Sequence, residues 1–200
     1  LQCYDRALEY DPSDADAWNN KGNIYDTTGL YDSAIKCFDK SLEFRPHDAV
    51  TLCNKGISLS NLKRYEESVE CFNRALDIEP QYADAWSGKG YSLMNLGIYD
   101  DAMECVDKAL TLDQTYKYAW YNRGWILSQK KSYEEAIEAF DMALAIDPSY
   151  KHAWLEKGIA LHWQGRYEEA LECYNKTLEI DPGDSCAKEN REKCLKSLGR

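Results

Sequence analysis

The chain has 200 residues, 44% of them hydrophobic and 12% aromatic, and carries a formal net charge of −11. Apolar content on this scale supports a folded core and excludes a disordered chain. No apolar run approaches the roughly 18 residues that a membrane span requires, so a soluble protein is expected. The acidic balance argues against a general nucleic-acid binder, whose affinity comes from clustered Lys and Arg, and favours neutral or basic partners.

The chain opens at Leu1 with neither an initiator methionine nor the basic and apolar stretches of a secretion signal, and it reads as an excised segment. Its first element, residues 1–14, is an amphipathic helix whose Leu1, Tyr4 and Leu8 are expected to be exposed unless another chain or further sequence covers them. Ala15 to Thr28 is the next helix: Asp14 can cap its start, Trp18, Gly22 and Tyr25 share a face, and Gly29 suits a left-handed position after the last turn. Asp32 to Phe44 follows, with acid in its first turn and Ala34, Phe38, Ser41 and Leu42 at helical spacing, and it stops before Pro46. Glycine at position 22, opposite Ala34, lets the two helices cross closely as an antiparallel hairpin.

The rest of the chain repeats this pair. Trp18, Trp86, Trp120 and Trp154 lie on a lattice of period 34, with Leu52 at the fifth node. Gly22, Gly56, Gly90, Gly124 and Gly158 share the period, as do Tyr31, Tyr65, Tyr99, Tyr133 and Tyr167, and all five prolines. A fixed period of this length marks a solenoid whose units bury their apolar faces only by stacking.

The stretch "AWNNKGNIYDTTGLYDSAIKCFDKSLEFRPHD" is similar to the tetratricopeptide motif: Trp18, Gly22, Tyr25, Ala34, Phe38 and Pro46 match it and Ser41 replaces the usual alanine. The resemblance implies an all-α fold, a right-handed α-α superhelix of antiparallel helix pairs forming one array. Full repeats are expected at 15–48, 49–82, 83–116, 117–150 and 151–184, preceded by a partial repeat at 1–14 and followed by a C-terminal capping helix at 185–200. Departures from the motif are Leu52 for Trp, Ser68 for Ala, Val106 for the aromatic, Gln114 for Pro and Thr177 for Ala. In the last helix Lys188, Glu192 and Lys193 stand at inward nodes, as a wet capping face requires, so the stack is expected to end there.

Residues that suggest chemistry have structural explanations. Cys3, Cys37, Cys71, Cys105 and Cys173 share a lattice position, and successive repeats, roughly 10 Å apart by helix diameter, are too distant for disulfides. They are expected to pack as free thiols, which favours a cytoplasmic setting. Cys53, placed on the inward face, is the thiol expected to react. His47, His152 and His162 include no pair at metal-binding spacing, so no metal and no other cofactor is expected. The carboxylate pairs, such as Glu134 with Glu135, all begin second helices, where the helix dipole favours negative charge. Glu70 with Arg74, Glu104 with Lys108 and Glu172 with Lys176 are spaced for ion pairing. No phosphate-binding loop or nucleophile motif occurs, and no catalysis is expected.

In the family the first helix of each pair forms a concave wall, so the resemblance implies a peptide-binding groove there. Two features of that wall are not needed for folding. Asn20, Asn54, Asn122 and Asn190 share one lattice line, interrupted by Gly88 and Glu156, and with Asn23 they offer amides able to grip a peptide backbone; the alternative is that Asn is only polar filler. Tyr91, Tyr118, Tyr121, Trp125, Leu155, Ile159 and Trp163, with His152 beside them, make the later wall aromatic and aliphatic; the alternative is that some rings pack between helices. The clamp with which some relatives hold acidic chaperone tails needs cations where Asp84 and Gly88 stand, so that activity is not expected. The expected function is a non-catalytic scaffold holding a protein or peptide with apolar anchors, with a basic residue near Asp16, Asp26 and Asp84, and with no nucleic acid or membrane partner. Self-assembly through the N-terminal helix, giving end-to-end homo-oligomers, and service as the targeting arm of a larger enzyme are the alternatives.

Overall fold

The computed structural model describes residues 1–199, which contain twelve α-helices and no strand. They divide into two compact units, residues 1–112 and the residues from Asp113 onwards. The first holds α1 (Gln2–Tyr10), α2 (Ala15–Thr27), α3 (Tyr31–Phe44), α4 (Ala49–Asn61), α5 (Tyr65–Ile78), α6 (Ala83–Asn95) and α7 (Tyr99–Leu112). The second holds α8 (Lys117–Gln129), α9 (Tyr133–Ile146), α10 (Lys151–Trp163), α11 (Tyr167–Ile180) and α12 (Ser185–Ser197). Within each unit the pairs α2/α3, α4/α5, α6/α7, α8/α9 and α10/α11 pack as hairpins, and neighbouring hairpins stack.

The ends expected for the first full pair hold to within a residue, whereas α1 stops at Tyr10, short of the expected residue 14, and α12 ends at Ser197. Asp14 accepts a hydrogen bond from the Ala17 amide at 3.0 Å, and Asp48 and Asp184 cap α4 and α12 in the same way. Gly29, Gly97 and Gly165 occupy the left-handed region at φ near +78°, +78° and +76°, as the chain reverses into the second helix. Lys63 and Lys131 hold the same conformation at the equivalent nodes, at φ +61° and +63°, so the turn imposes it whatever the residue.

Each tryptophan of the lattice ties its helix to the preceding turn. The indole of Trp18 donates to the carbonyl oxygen of Pro12 at 3.0 Å, and Trp86 and Trp154 donate to Pro80 and Pro148. Trp120 donates to the carbonyl of Gln114 at 2.9 Å, which shows that the turn needs a carbonyl there and not the proline ring. The glycine node serves the aromatic core. A Cβ on Gly22 would come within 2.5 Å of the Phe38 ring, so the bulk it admits is Phe38 rather than Ala34. Gly56, Gly124 and Gly158 face Phe72, Phe140 and Tyr174 in the same way, all fully buried.

Polar departures from the motif are accommodated by mutual hydrogen bonds. Ser60, Ser68 and Ser92 form a buried triangle with oxygens 2.7, 2.7 and 2.9 Å apart, anchored by Ser68 donating to the Gly56 carbonyl. Three expectations need correction. Leu8 is buried, because α1 packs on α2 and is tied to it by the Asp5–Lys21 ion pair; Leu1 remains exposed. Cys53 is 1% exposed. None of the three expected ion pairs forms among the described residues: Lys176 pairs with Glu179 at 2.7 Å rather than with Glu172, and Glu70–Arg74 and Glu104–Lys108 stay beyond ion-pair distance.

Candidate peptide-binding faces

In the first unit the residues of α2, α4 and α6 expected to face a groove form a mixed surface. Asn20 is exposed and Asn23 half-buried, whereas Asn54 donates to Asn19, a residue outside the row, at 3.1 Å, so one amide of the row is already engaged within the protein. Gly88 interrupts the row for a packing reason: a Cβ there would lie 2.4 Å from Phe72. The acids expected to meet a basic residue are largely occupied. Asp16 forms a two-pronged pair with Arg45, and Asp26 accepts from Ser58. Tyr91 is exposed and edge-on to Tyr65 at 6.4 Å between centroids. Cys53 lies behind this surface, against Tyr82, where burial pushes its thiol up to about 12; it is therefore no reactive group.

The second unit carries the aromatic surface. Tyr118 from α8 is 49% exposed and meets Tyr150 edge-on at 5.8 Å, while Tyr121 packs between Tyr150 at 5.3 Å and Phe140 at 6.0 Å. Tyr116 and exposed His152 complete the cluster, each edge-on to a tyrosine. Lys117 pins it: its ammonium lies 5.0 and 5.4 Å from the Tyr118 and Tyr150 ring centres and pairs with Asp147 at 2.6 Å. The Lys117 and Ser149 hydrogen bonds hold the Asp147 carboxyl at about 2, well below the usual range. Trp125 is half-buried, and Asn122, 4% exposed, lies within the helix packing, away from any open amide row.

Along α10, Leu155 and Ile159 are half-buried over a core that includes Leu161 and Tyr174, and Trp163 stands 67% exposed at the helix end. Two cavities flank Trp163. One, about 210 Å³, is lined by Ser128, Tyr133, Glu156 and Ile159 among others; the second, about 230 Å³, by Ile159, His162, Tyr174 and Asn190. His162 contacts Cys194 through Nδ1 at 3.0 Å, and burial raises the pKa of that thiol. No group of three His, Cys, Asp or Glu among the described residues is placed to hold a metal.

Sequence reasoning missed Tyr116, Lys117 and Tyr150 although a signal was present. The residue before the first helix of each pair is Asp at 14, 48 and 184 but Tyr at 82, 116 and 150. In those middle repeats no side chain caps the helix, a forfeited contribution of about 1 kcal/mol each. A helix start that gives up its cap for an aromatic ring is a local rule broken where a surface is built.

Hairpins of this kind, closed by a glycine-aromatic crossing between their two helices and stacked on their neighbours within each unit, define a helical-repeat scaffold. The tetratricopeptide repeat model matches residues 15–48, 49–82, 83–116, 118–150 and 152–184, and the chain belongs to the tetratricopeptide repeat family. No curated protein matches the sequence. Among solved structures it is similar to YrrB, described as a tetratricopeptide repeat protein with an unusual peptide-binding site, at 23% identity and a TM-score of 0.66, covering 94% of this chain and 97% of that one. It is also similar to PilF of Pseudomonas aeruginosa (20% identity, TM-score 0.81, covering 92% and 84%) and to a chain of the APC/C Cut9–Hcn1 hetero-tetramer (16%, TM-score 0.90, covering 96% and 38%). These likenesses concern the fold.

Proposed function

We propose that the protein is a non-catalytic scaffold and that the aromatic face of its second unit holds an extended segment of another protein through apolar anchors. The observation that carries this reading is the Tyr118–Tyr150–Tyr121 cluster, pinned by Lys117, gained where the helix starts have lost their caps. Rings already held by neighbours give contact area at low entropic cost, which is why Tyr and Trp dominate binding hot spots. Exposed Trp163 and half-buried Ile159 extend the apolar surface along α10. In the first unit, Asn20, Asn23 and Tyr91 supply a polar counterpart able to engage a backbone without reading sequence. YrrB, described as carrying a peptide-binding site on the same fold, lends support by analogy.

Peptide-display selection on the full chain tests this reading. Enrichment of peptides with apolar anchors, lost when Tyr118→Ala and Trp163→Ala are combined in a variant whose helicity is unchanged, is the expected result. Enrichment that survives both substitutions would place binding elsewhere.

A further inference from the structure

The asparagine line of the first helices is broken in the second unit by Glu156, and the break coincides with the cavity of about 210 Å³ beside Trp163. Two groups in its wall lack what they need. The Ser128 hydroxyl oxygen is buried without a hydrogen-bond partner, although a serine in a helix ordinarily finds one within its own turn. The Glu156 carboxyl is largely desolvated, and that burial alone raises its pKa, with no hydrogen bond or opposing charge to offset it. Lys131, the cation lining the cavity, makes no ion pair with it. An unpaired acid and an unpaired acceptor in one cavity both call for donors. The mouth carries an indole that is 67% exposed, a surface on which a cation stacks.

We infer that Glu156, Ser128 and Trp163 form a subsite for a basic side chain, best an arginine, of the segment bound by the second unit. A guanidinium fits on chemical grounds: it offers five N–H donors in a plane, pairs two-pronged with a carboxylate, and stacks on an aromatic ring. An ammonium can satisfy Glu156 but presents no flat face to Trp163. The subsite, which for its natural occupant rests on the reading of the second unit as a peptide-binding face, gives that face polarity. Tyr118 and Tyr121 take apolar anchors at one end, and a positive charge is read at the other. It also relocates the basic residue expected near Asp16 and Asp26, whose carboxylates are already occupied.

The test uses N-acetyl-arginine methylamide as probe and the citrulline analogue, its uncharged isostere, as control. Each is titrated into the full chain while the Ser128, Lys131 and Ile159 amides and the Trp163 indole are followed by NMR. The arginine probe should give saturable shifts at those positions and citrulline none. Glu156→Gln, which keeps the shape and removes a charge that burial disfavours, should weaken the arginine response by about tenfold or more, the scale of a hydrogen-bonded charge pair. Equal responses to the two probes, or an arginine response unchanged in Glu156→Gln, overturn the subsite. Peptide selection reads the wider face independently. Peptides anchored at Tyr118 that bind equally with arginine or citrulline would leave the face standing and remove the subsite. Arginine binding at Glu156 with no peptide selected would do the reverse.

Discussion

Replacing Gly124 by alanine sets two opposed effects against each other at a defined place. In an open helix the change is stabilising by about 1 kcal/mol, because alanine has the better helix propensity. Here the new Cβ would meet Phe140 ring carbons at 2.7, 2.8 and 3.0 Å, and Phe140 is fully buried, so the ring has no solvent-facing exit. Overpacking of this kind costs about 1–3 kcal/mol. Steric cost exceeds propensity, and Gly124→Ala should be destabilising by about 1 kcal/mol, with an upper end near 2 kcal/mol. Gly90→Ala provides the contrast. Its new Cβ would meet one methyl of Val106 at 2.9 Å and the Ala102 carbonyl oxygen at 3.2 Å, fewer and longer close contacts than the three Phe140 ring carbons, so its net effect should be smaller. Urea unfolding of both variants, with Gly124→Ala also measured over Phe140→Leu, provides the assay. Favourable coupling in the double variant is expected. A Gly124→Ala chain that is more stable than the parent would refute the close-crossing argument.

Further predictions concern particular groups. Under native conditions a maleimide should modify the exposed Cys3 and Cys186 and spare Cys53 until the chain unfolds; rapid labelling of Cys53 would contradict its burial. Because the folded-state pKa of Asp147 is depressed to about 2, its stabilising contribution is present above the unfolded value and is lost as pH falls toward that midpoint. An NMR titration should find the low midpoint in the parent and a higher one in Lys117→Met. Ser68→Ala strips the serine triangle of the hydroxyl that anchors it to Gly56 and should destabilise the chain by about 1–3 kcal/mol, read from the denaturation midpoint.

The fold was legible because each repeat restates it. Period and glycine node constrain the same hairpin in every repeat, capping acids add to them at α2, α4 and α12, and the ends of the first full pair follow to within a residue. The site was only half legible, and the reason is physical. Helical phase assigns a residue to a face but does not say how deep it lies. Asn122 and Cys53 share the inward phase with exposed Asn20 and Tyr118, yet both are covered, Cys53 by a core that includes Phe72 and Ala85. Phase is equally silent about residues outside helices: Tyr116 and Tyr150 precede their helices and enter the aromatic cluster from the turns. Their signal was the replacement of a capping acid, which is visible only when the repeats are compared at that one node. Glu156 interrupts the asparagine line in the sequence, but its want of a partner emerges only from the packing around it.

The most direct test of the account is the affinity of display-selected peptides for the chain and for its Tyr118→Ala/Trp163→Ala variant, with helicity verified for both. The aromatic face predicts that selected peptides share apolar anchors and lose at least about tenfold in affinity on the variant, since truncating a hot-spot ring costs 2 kcal/mol or more. Equal affinities for parent and variant would contradict it and assign binding to another surface.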